Sequence, residues 1–225
     1  MFELNDKVDI TLVSEIGAEN RNALIIDNFY KDPDSVREYA LGCNLQDRPN
    51  LMSGLPGWRI YEEDFRVREN LKPTFDNLKN QSLWVTEIDE EKWEENWNKT
   101  NFLCNVMNST TRDPGGGYPH TDAYGVHFGA VIYLNTPEEC NGGTRLYSMS
   151  GKQSTRTLQP GVETYFNEHA KNKWQFDQED GWEVELEFEM VYNRCILYEA
   201  DQLHAQWYSE DAFTTTERLA QVLFI

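Results

Sequence analysis

The sequence predicts a mainly β fold with flanking helices, in which many short strands close into a double-sheet roll or barrel. Three observations carry this. Strand-length apolar runs crowd residues 101–225, and Gly-, Pro- and Asn-rich turns separate them. Capped, helix-spaced apolar positions fall in the first hundred residues instead. The chain has 225 residues and 13% aromatic side chains, seven of them Trp. A chain of that length buries roughly 70–75% of its unfolded surface, so it needs no metal or disulfide merely to fold.

The elements follow in order. Ala23-Leu24-Ile25-Ile26 is a short apolar run, predicted as a strand. Asp32 to Gly42 is predicted as a helix. Asp32 offers an N-cap oxygen, Pro33 suits the first helical position, Gly42 suits the stop, and Val36, Tyr39 and Ala40 share a face. Leu55-Pro56-Gly57-Trp58-Arg59 reads as a loop with an ordered aromatic. A second helix is predicted from Leu71 to Leu78, where Leu71, Phe75 and Leu78 align. Residues 89–98 set Trp93 and Trp97 among acids, which suits a solvated loop or short helix whose indoles cover the core. Beyond residue 100, Asn101 to Met107 alternates. Val126 to Leu134 is a long strand holding Gly129, which marks a bend or a close approach. Thr144 to Met149 is a further strand. Glu183 to Met190 alternates strictly, giving one wet and one core face. Cys195 to Tyr198 and Arg218 to Ile225 read as buried strands. Asp113-Pro114-Gly115-Gly116-Gly117, Asn141-Gly142-Gly143, Gln159-Pro160-Gly161 and Tyr192-Asn193-Arg194 supply turns. With no repeat or linker visible, residues 1–225 are read as a single domain: a 1–100 α/β support region and a 101–225 β core.

Composition narrows the function. The net charge is −19, spread as 21 acids against 12 bases in residues 1–100 and 18 against 8 thereafter. Such a field repels nucleic acid and anionic lipid and tolerates neutral or basic substrates. No run approaches the roughly 20 apolar residues of a membrane span. The opening Met1-Phe2-Glu3-Leu4-Asn5-Asp6 lacks a basic region followed by an apolar one, so no secretory signal is expected. Four scattered cysteines form no C-x-x-C, which points to reduced thiols in a cytoplasm.

Chemistry concentrates around four histidines, His120, His127, His169 and His204. On an extended segment, residues two apart point the same way, so His120 and Asp122 present an imidazole and a carboxylate to one point. A second imidazole would complete a 2-His-1-carboxylate facial set, the arrangement suited to non-haem Fe(II). His204, 82 residues after Asp122 and just beyond an apolar strand, qualifies. Three protein ligands on one side leave positions for a bidentate 2-oxo acid and for O₂. The far carboxylate of such an acid needs a cation, and Arg218, at the head of the last apolar strand, offers a bidentate match.

With these residues in view, the back half resembles the Fe(II)/2-oxoglutarate-dependent dioxygenases, in particular the prolyl-4-hydroxylase-like branch, of small phage and marine bacterial type. The resemblance rests on Gly117-Tyr118-Pro119-His120-Thr121-Asp122, then Val131-Ile132-Tyr133-Leu134-Asn135, Asn141-Gly142-Gly143-Thr144, His204 and Arg218. Asp27-Asn28-Phe29-Tyr30 and Asp32-Pro33 look like the lead-in of the small members. The resemblance implies a double-stranded β-helix (jelly-roll) core with N-terminal helices packed on one sheet. It implies hydroxylation of a peptidyl or free amino acid, or another small molecule, with 2-oxoglutarate and O₂ consumed and succinate and CO₂ released. Ascorbate is implied as an auxiliary reductant. Two departures stand out. Arg218 occupies the place where prolyl 4-hydroxylases often carry Lys, and Ala220 replaces the Ser that often follows an Arg. Asn105 and Tyr118 are candidates for the hydrogen bond to the oxo acid that Ala220 cannot make. Asp122 argues against halogenation, because halogenases of the family leave that carboxylate out.

Other polar residues have plainer readings. His127 reads as a buried or supporting side chain, and His169 as solvated. The acid-rich stretch from Asp177 to Glu189 reads as a wet face, with a docking surface for a basic peptide as the sharper alternative. Trp58 with Arg59, or Trp207 with Tyr208, could line a substrate channel, although core packing is the commoner role. Arg112 and Arg145 flank the expected mouth. The rival readings are a non-catalytic, cupin-like metal-binding jelly roll and an acidic interaction module; Arg218 at its spacing favours the enzyme.

Overall fold

The structure, a computed structural model, describes residues 1–45, 57–111, 119–122, 125–149 and 182–225. Within them the chain is mostly antiparallel sheet with few helices. One seven-stranded sheet has the order β1 (Asp9–Ile16), β2 (Arg21–Asp27), β8 (Cys195–Glu199), β5 (Phe128–Tyr133), β10 (Arg218–Phe224), β4 (Phe102–Met107), β3 (Trp58–Glu62). A three-stranded sheet has the order β7 (Trp182–Glu189), β6 (Gly143–Met149), β9 (His204–Trp207). The helices are α1 (Pro33–Gly42), α2 (Arg66–Lys79) and α3 (Glu90–Lys99).

The two faces of the larger sheet belong to different apolar clusters. One face contributes Leu24, Ile26, Ile60, Cys104, Ala130, Leu197 and Leu219, and the helices add Val36, Leu71, Phe75, Trp93 and Trp97 to the same cluster. The other face contributes Val131, Tyr133, Ile196, Tyr198, Ala220 and Val222, joined by Leu146 and Phe188 of the smaller sheet. Alternation along each strand sorts the two sets. Trp93 and Trp97 are fully buried. Each contributes about 4–6 kcal/mol of transfer free energy as an upper bound, which outweighs the polar sequence around them.

Caps explain two of the helices. The Asp32 side chain accepts from Ser35 N at 3.1 Å to start α1. Asp89 accepts from Glu91 N and Lys92 N at 3.0 and 3.1 Å to start α3, so residues 89–98 form a helix rather than a loop. The second helix is longer than its apolar signal. It begins at Arg66 without a side-chain cap and carries Pro73 inside, yet Val67, Leu71, Phe75 and Leu78 are buried along one side. Packing, not propensity, holds it.

Other expectations need correction. Trp58 and Arg59 belong to a strand, because β3 pairs with β4 from Trp58↔Val106 to Glu62↔Phe102. The first hundred residues therefore supply three strands as well as helices. Edge strand β1, unforeseen in the sequence, is exposed along most of its length and held by β2. In β7, Glu183, Val184 and Glu185 are all exposed, and the inward alternation starts only at Leu186.

Candidate metal centre

His120 and His204 form a closed antiparallel pair: His120 N donates to His204 O at 3.0 Å and His204 N donates to His120 O at 2.8 Å. Asp122 N donates to Ala200 O at 2.8 Å, which turns the carboxylate to the same side as the His120 ring. One potential ligand atom from each of His120, Asp122 and His204 lies within 4.8 Å of the others. The sequence reading set His204 beyond an apolar strand; it is itself the first residue of β9, paired with Leu146 of β6.

The tautomer of His204 follows from one contact. Its Nδ1 lies 2.9 Å from the Gln202 carbonyl oxygen, which can only accept, so Nδ1 carries the proton and Nε2 keeps its lone pair. Burial pushes the His204 pKa down to about 4, against a raising contribution from that backbone bond. Burial pushes Asp122 up to about 6, partly offset by His120. At neutral pH the histidine is therefore uncharged and the carboxylate mainly ionised. Nε2 of His204 and Oδ1 of Asp122 stand 3.6 Å apart, within ion-pair distance, yet with a neutral ring they are two acceptors facing one another. The other carboxylate oxygen, Oδ2, is buried and has no hydrogen-bond partner. Two imidazoles and one carboxylate, with Asp122 Oδ2 buried and unpartnered, are a donor set that fits a divalent transition metal.

Gly129 makes room for this group. A Cβ there would meet Asp122 Oδ2 at 2.6 Å and the Tyr198 ring at 2.8 Å. The glycine marked in the sequence as a bend or a close approach is the latter, and what approaches is the carboxylate.

The turn that carries these contacts is anchored by residues the sequence reading did not single out. Glu199 is fully buried and accepts from Val85 N at 2.7 Å, Thr86 N at 3.2 Å and Thr86 Oγ1 at 2.7 Å. Arg21 donates to Glu199 and to both Asp201 oxygens, the latter at 2.5 and 3.1 Å. Gln202 N donates to Glu199 O at 2.9 Å. Thus Arg21 on β2 fixes the 199–202 turn, which in turn holds Asp122 through Ala200 and His204 through Gln202. An acid directly after an apolar strand was a legible signal for Glu199. Nothing local marks Arg21, 178 residues away.

Arg218 points from β10 into the space between the sheets. It is 3% exposed, its guanidinium lies 5.8 Å from the centroid of the Tyr133 ring, and its Nε has no partner. Among the described residues no carboxylate pairs with it. Burial pulls its pKa down, with Tyr133, Tyr208, Cys104 and Tyr198 opposing. An unpaired buried cation is costly, so the position suits an anionic ligand. Asn105 shares this face, being paired with Ala220.

Other residues have structural places. His127 is buried; its Nε2 accepts from Asp89 N at 3.0 Å, tying β5 to the start of α3. Arg145 and Trp207 belong to the small sheet. They stack at 4.6 Å, and Arg145 pairs with Glu187 at 2.8 Å, on the side of the small sheet away from His204. Tyr208 is buried in the cluster between the sheets, and Trp58 packs on the helix-side cluster. Tyr118, Arg112 and His169 lie outside the described residues, as does most of the acid-rich stretch.

No curated protein matches the chain. Among solved structures, the chain is similar to a prolyl hydroxylase from Trichoplax adhaerens in complex with a hypoxia inducible factor peptide fragment. The identity is 15%, the coverage 90% of this chain and 82% of that one, and the TM-score 0.47. It is similar to a Pseudomonas putida prolyl-4-hydroxylase at 14% identity over 97% and 92% of the two chains, with a TM-score of 0.41. HygX from Streptomyces hygroscopicus, with nickel and 2-oxoglutarate bound, is similar at 13% identity over 96% and 82%, with a TM-score of 0.42. At such identities and scores the chain's own geometry has to carry any functional reading. A family model matches residues 8–215, and the chain therefore belongs to DUF6445, described as a family of unknown function.

Proposed function

We propose that the protein is an Fe(II)- and 2-oxoglutarate-dependent dioxygenase that hydroxylates a peptidyl or free amino acid, with succinate and CO₂ as co-products. The observation that carries this reading is the presence, between the two sheets, of facing acceptors and of a buried cation. Acceptors of Asp122 and His204 face each other with Asp122 Oδ2 unpartnered, and Arg218 is buried with no carboxylate pairing with it among the described residues. In this reading His120, Asp122 and His204 hold the iron and Arg218 holds the distal carboxylate of 2-oxoglutarate. Asn105 in this reading adds a hydrogen bond to the oxo acid, with Tyr118 as its alternative. Bound iron would supply the redox chemistry that couples O₂ reduction to oxidative decarboxylation of the oxo acid. The protein's own part is to keep His204 neutral by burial and its tautomer fixed by Gln202, to leave Asp122 mainly ionised at neutral pH, and to exclude water with Tyr133 and Tyr198.

We read the fold as a double-stranded β-helix with the helices on the outside of the larger sheet; the two apolar clusters support this. We read residues 1–225 as one domain, supported by β1, β2 and β3 lying in the same sheet as β4, β5, β8 and β10. All four cysteines are free, which supports a reducing compartment such as the cytoplasm.

The test is a visible spectrum. Fe(II) and 2-oxoglutarate added together without oxygen should produce a charge-transfer band that neither gives alone. His204→Ala should abolish it, and Arg218→Met should raise the 2-oxoglutarate concentration it needs. Folded protein that binds iron yet gives no band would reduce the reading to a metal-binding jelly roll.

A further inference from the structure

The larger sheet ends on β1, and among the described residues no strand pairs with its outer side. Natural sheets blunt such an edge with Lys, Pro or a bulge. The strand Asp9–Ile16 contains neither Lys nor Pro. Its one irregularity lies at the far end, between Val13 and Ile16, where Glu15 takes a φ of 62°. Residues 9–13 are left as an uninterrupted run with an open backbone edge, centred on Thr11.

The side chains of this run are placed by β2. Ile10 pairs with Ile26 and Leu12 with Leu24, so both lie on the face that the helices cover farther in. At the edge that cover stops, and Ile10 is 48% and Leu12 45% exposed. Thr11 is exposed on the opposite face. Lys7 stands two residues before the run and Glu15 two residues after it. Both are exposed, and among the described residues neither has an ion-pair partner.

We infer that β1 is the contact between two copies of this chain, which pair antiparallel about a two-fold axis through Thr11 and join two seven-stranded sheets into one. An axis normal to the sheet sets like strands antiparallel with their faces matched. Opposite residues then point to the same face, so the axis passes through a residue and not between two. Through Thr11 it sets Ile10 against the partner's Leu12 and Lys7 against the partner's Glu15, each twice. Centred on Leu12, it would set Asp9 against the partner's Glu15, two like charges. Centred on Ile10, it would set Lys7 against the partner's Val13 and lose the ion pair. The net charge of −19 opposes self-association at long range. At about 0.15 M salt that repulsion is screened beyond about 8 Å, so the contacts along the edge decide. Strands β2 and β8 separate β1 from β5, so the contact stands apart from the metal centre and does not rest on the proposed reaction.

Sedimentation velocity on the full chain, over a wide range of concentration at that salt, should show a monomer–dimer equilibrium. Ile10→Lys should weaken the dimer at least about tenfold by charging the edge. Lys7→Glu should weaken it several-fold, and adding Glu15→Lys to Lys7→Glu should restore it. All three changes are at exposed positions, and circular dichroism confirms the fold of each variant. A short thiol cross-linker locates the axis. Thr11→Cys should link to its own copy, because the two Cβ atoms stand about 5 Å apart. Ser14→Cys should not, because its copies are roughly 20 Å apart along the strands. A chain that stays monomeric at every concentration overturns the proposal, whether the edge is then bare or taken by another segment or protein. So does a dimer that Thr11→Cys fails to link, that Ser14→Cys links equally well, or that the charge exchange does not rescue.

Discussion

Replacing Arg21 by Met should loosen a site that Arg21 never touches. The Arg21 side chain is 6% exposed, and its partners Glu199 and Asp201 are 0% and 32% exposed. Met keeps the apolar stem and removes the guanidinium, leaving Glu199 with only the donors of Val85 and Thr86. Removing one partner of a buried ion pair costs about 3–5 kcal/mol. Asp201 can turn to water, so the lower end applies, about 3 kcal/mol. In a chain of this size each kcal/mol moves Tm by about 2–4 °C, which gives a drop of roughly 6–12 °C by calorimetry. Because the 199–202 turn orients Asp122 and His204, metal affinity measured by titration should also fall about 10–100-fold, as for other groups that orient ligands. Adding Glu199→Gln to Arg21→Met should recover part of the stability, since the stranded charge is gone. A Tm drop under about 2 °C, or an unchanged metal affinity, would refute the anchoring role.

Three further outcomes are expected. Gly129→Ala should cost about 1–3 kcal/mol and weaken metal binding at least about tenfold, since its Cβ would press on Asp122 Oδ2; normal metal titration in a folded variant would contradict the close approach. Arg218→Met should leave Tm unchanged or raise it, because it relieves an unpaired buried cation. The same variant should lose about ten- to a hundredfold in 2-oxoglutarate affinity. A large fall in Tm would reveal a native partner instead. His127 is held below its ordinary pKa of 6.5, first by burial, with Asp89 and Glu90 opposing and Lys79 reinforcing. The folded state thus binds fewer protons than the unfolded chain. Its contribution is complete above pH 6.5 and is lost as the pH falls, at no more than about 1.4 kcal/mol per unit. His127→Gln should flatten that part of the stability curve between pH 7 and 5, and parallel curves would count against the neutral, buried assignment.

The parts of the molecule that could be read from the sequence are those whose signals are local. Asp32 and Pro33 announce α1, and the two-residue step from His120 to Asp122 puts both on one side of an extended segment. Gly129 announces a close contact. What escaped the reading depends on partners far away in the chain. The strand β9 is four residues long and becomes a strand only beside β6. The strand β1 leaves Ile10 and Leu12 48% and 45% exposed, so its apolar residues do not mark a core. The first turn of α2 is highly charged and buries only Val67, which gives no periodic cue. Arg59 looked like a loop residue next to a Pro-Gly pair; only pairing with Asn105 shows which way it faces. Arg21 had no local mark at all.

The place of β10 in the larger sheet has a consequence for biosynthesis. Residues 218–224 fill the gap between β5 and β4. Until they leave the ribosome, that sheet exists as two separate ribbons, β1-β2-β8-β5 and β4-β3, each with an open edge. Pairing across such long separations is slow, and unpaired edges invite association with other chains. The larger sheet therefore closes only when β10 docks, and the same pairing delivers Arg218 to the centre.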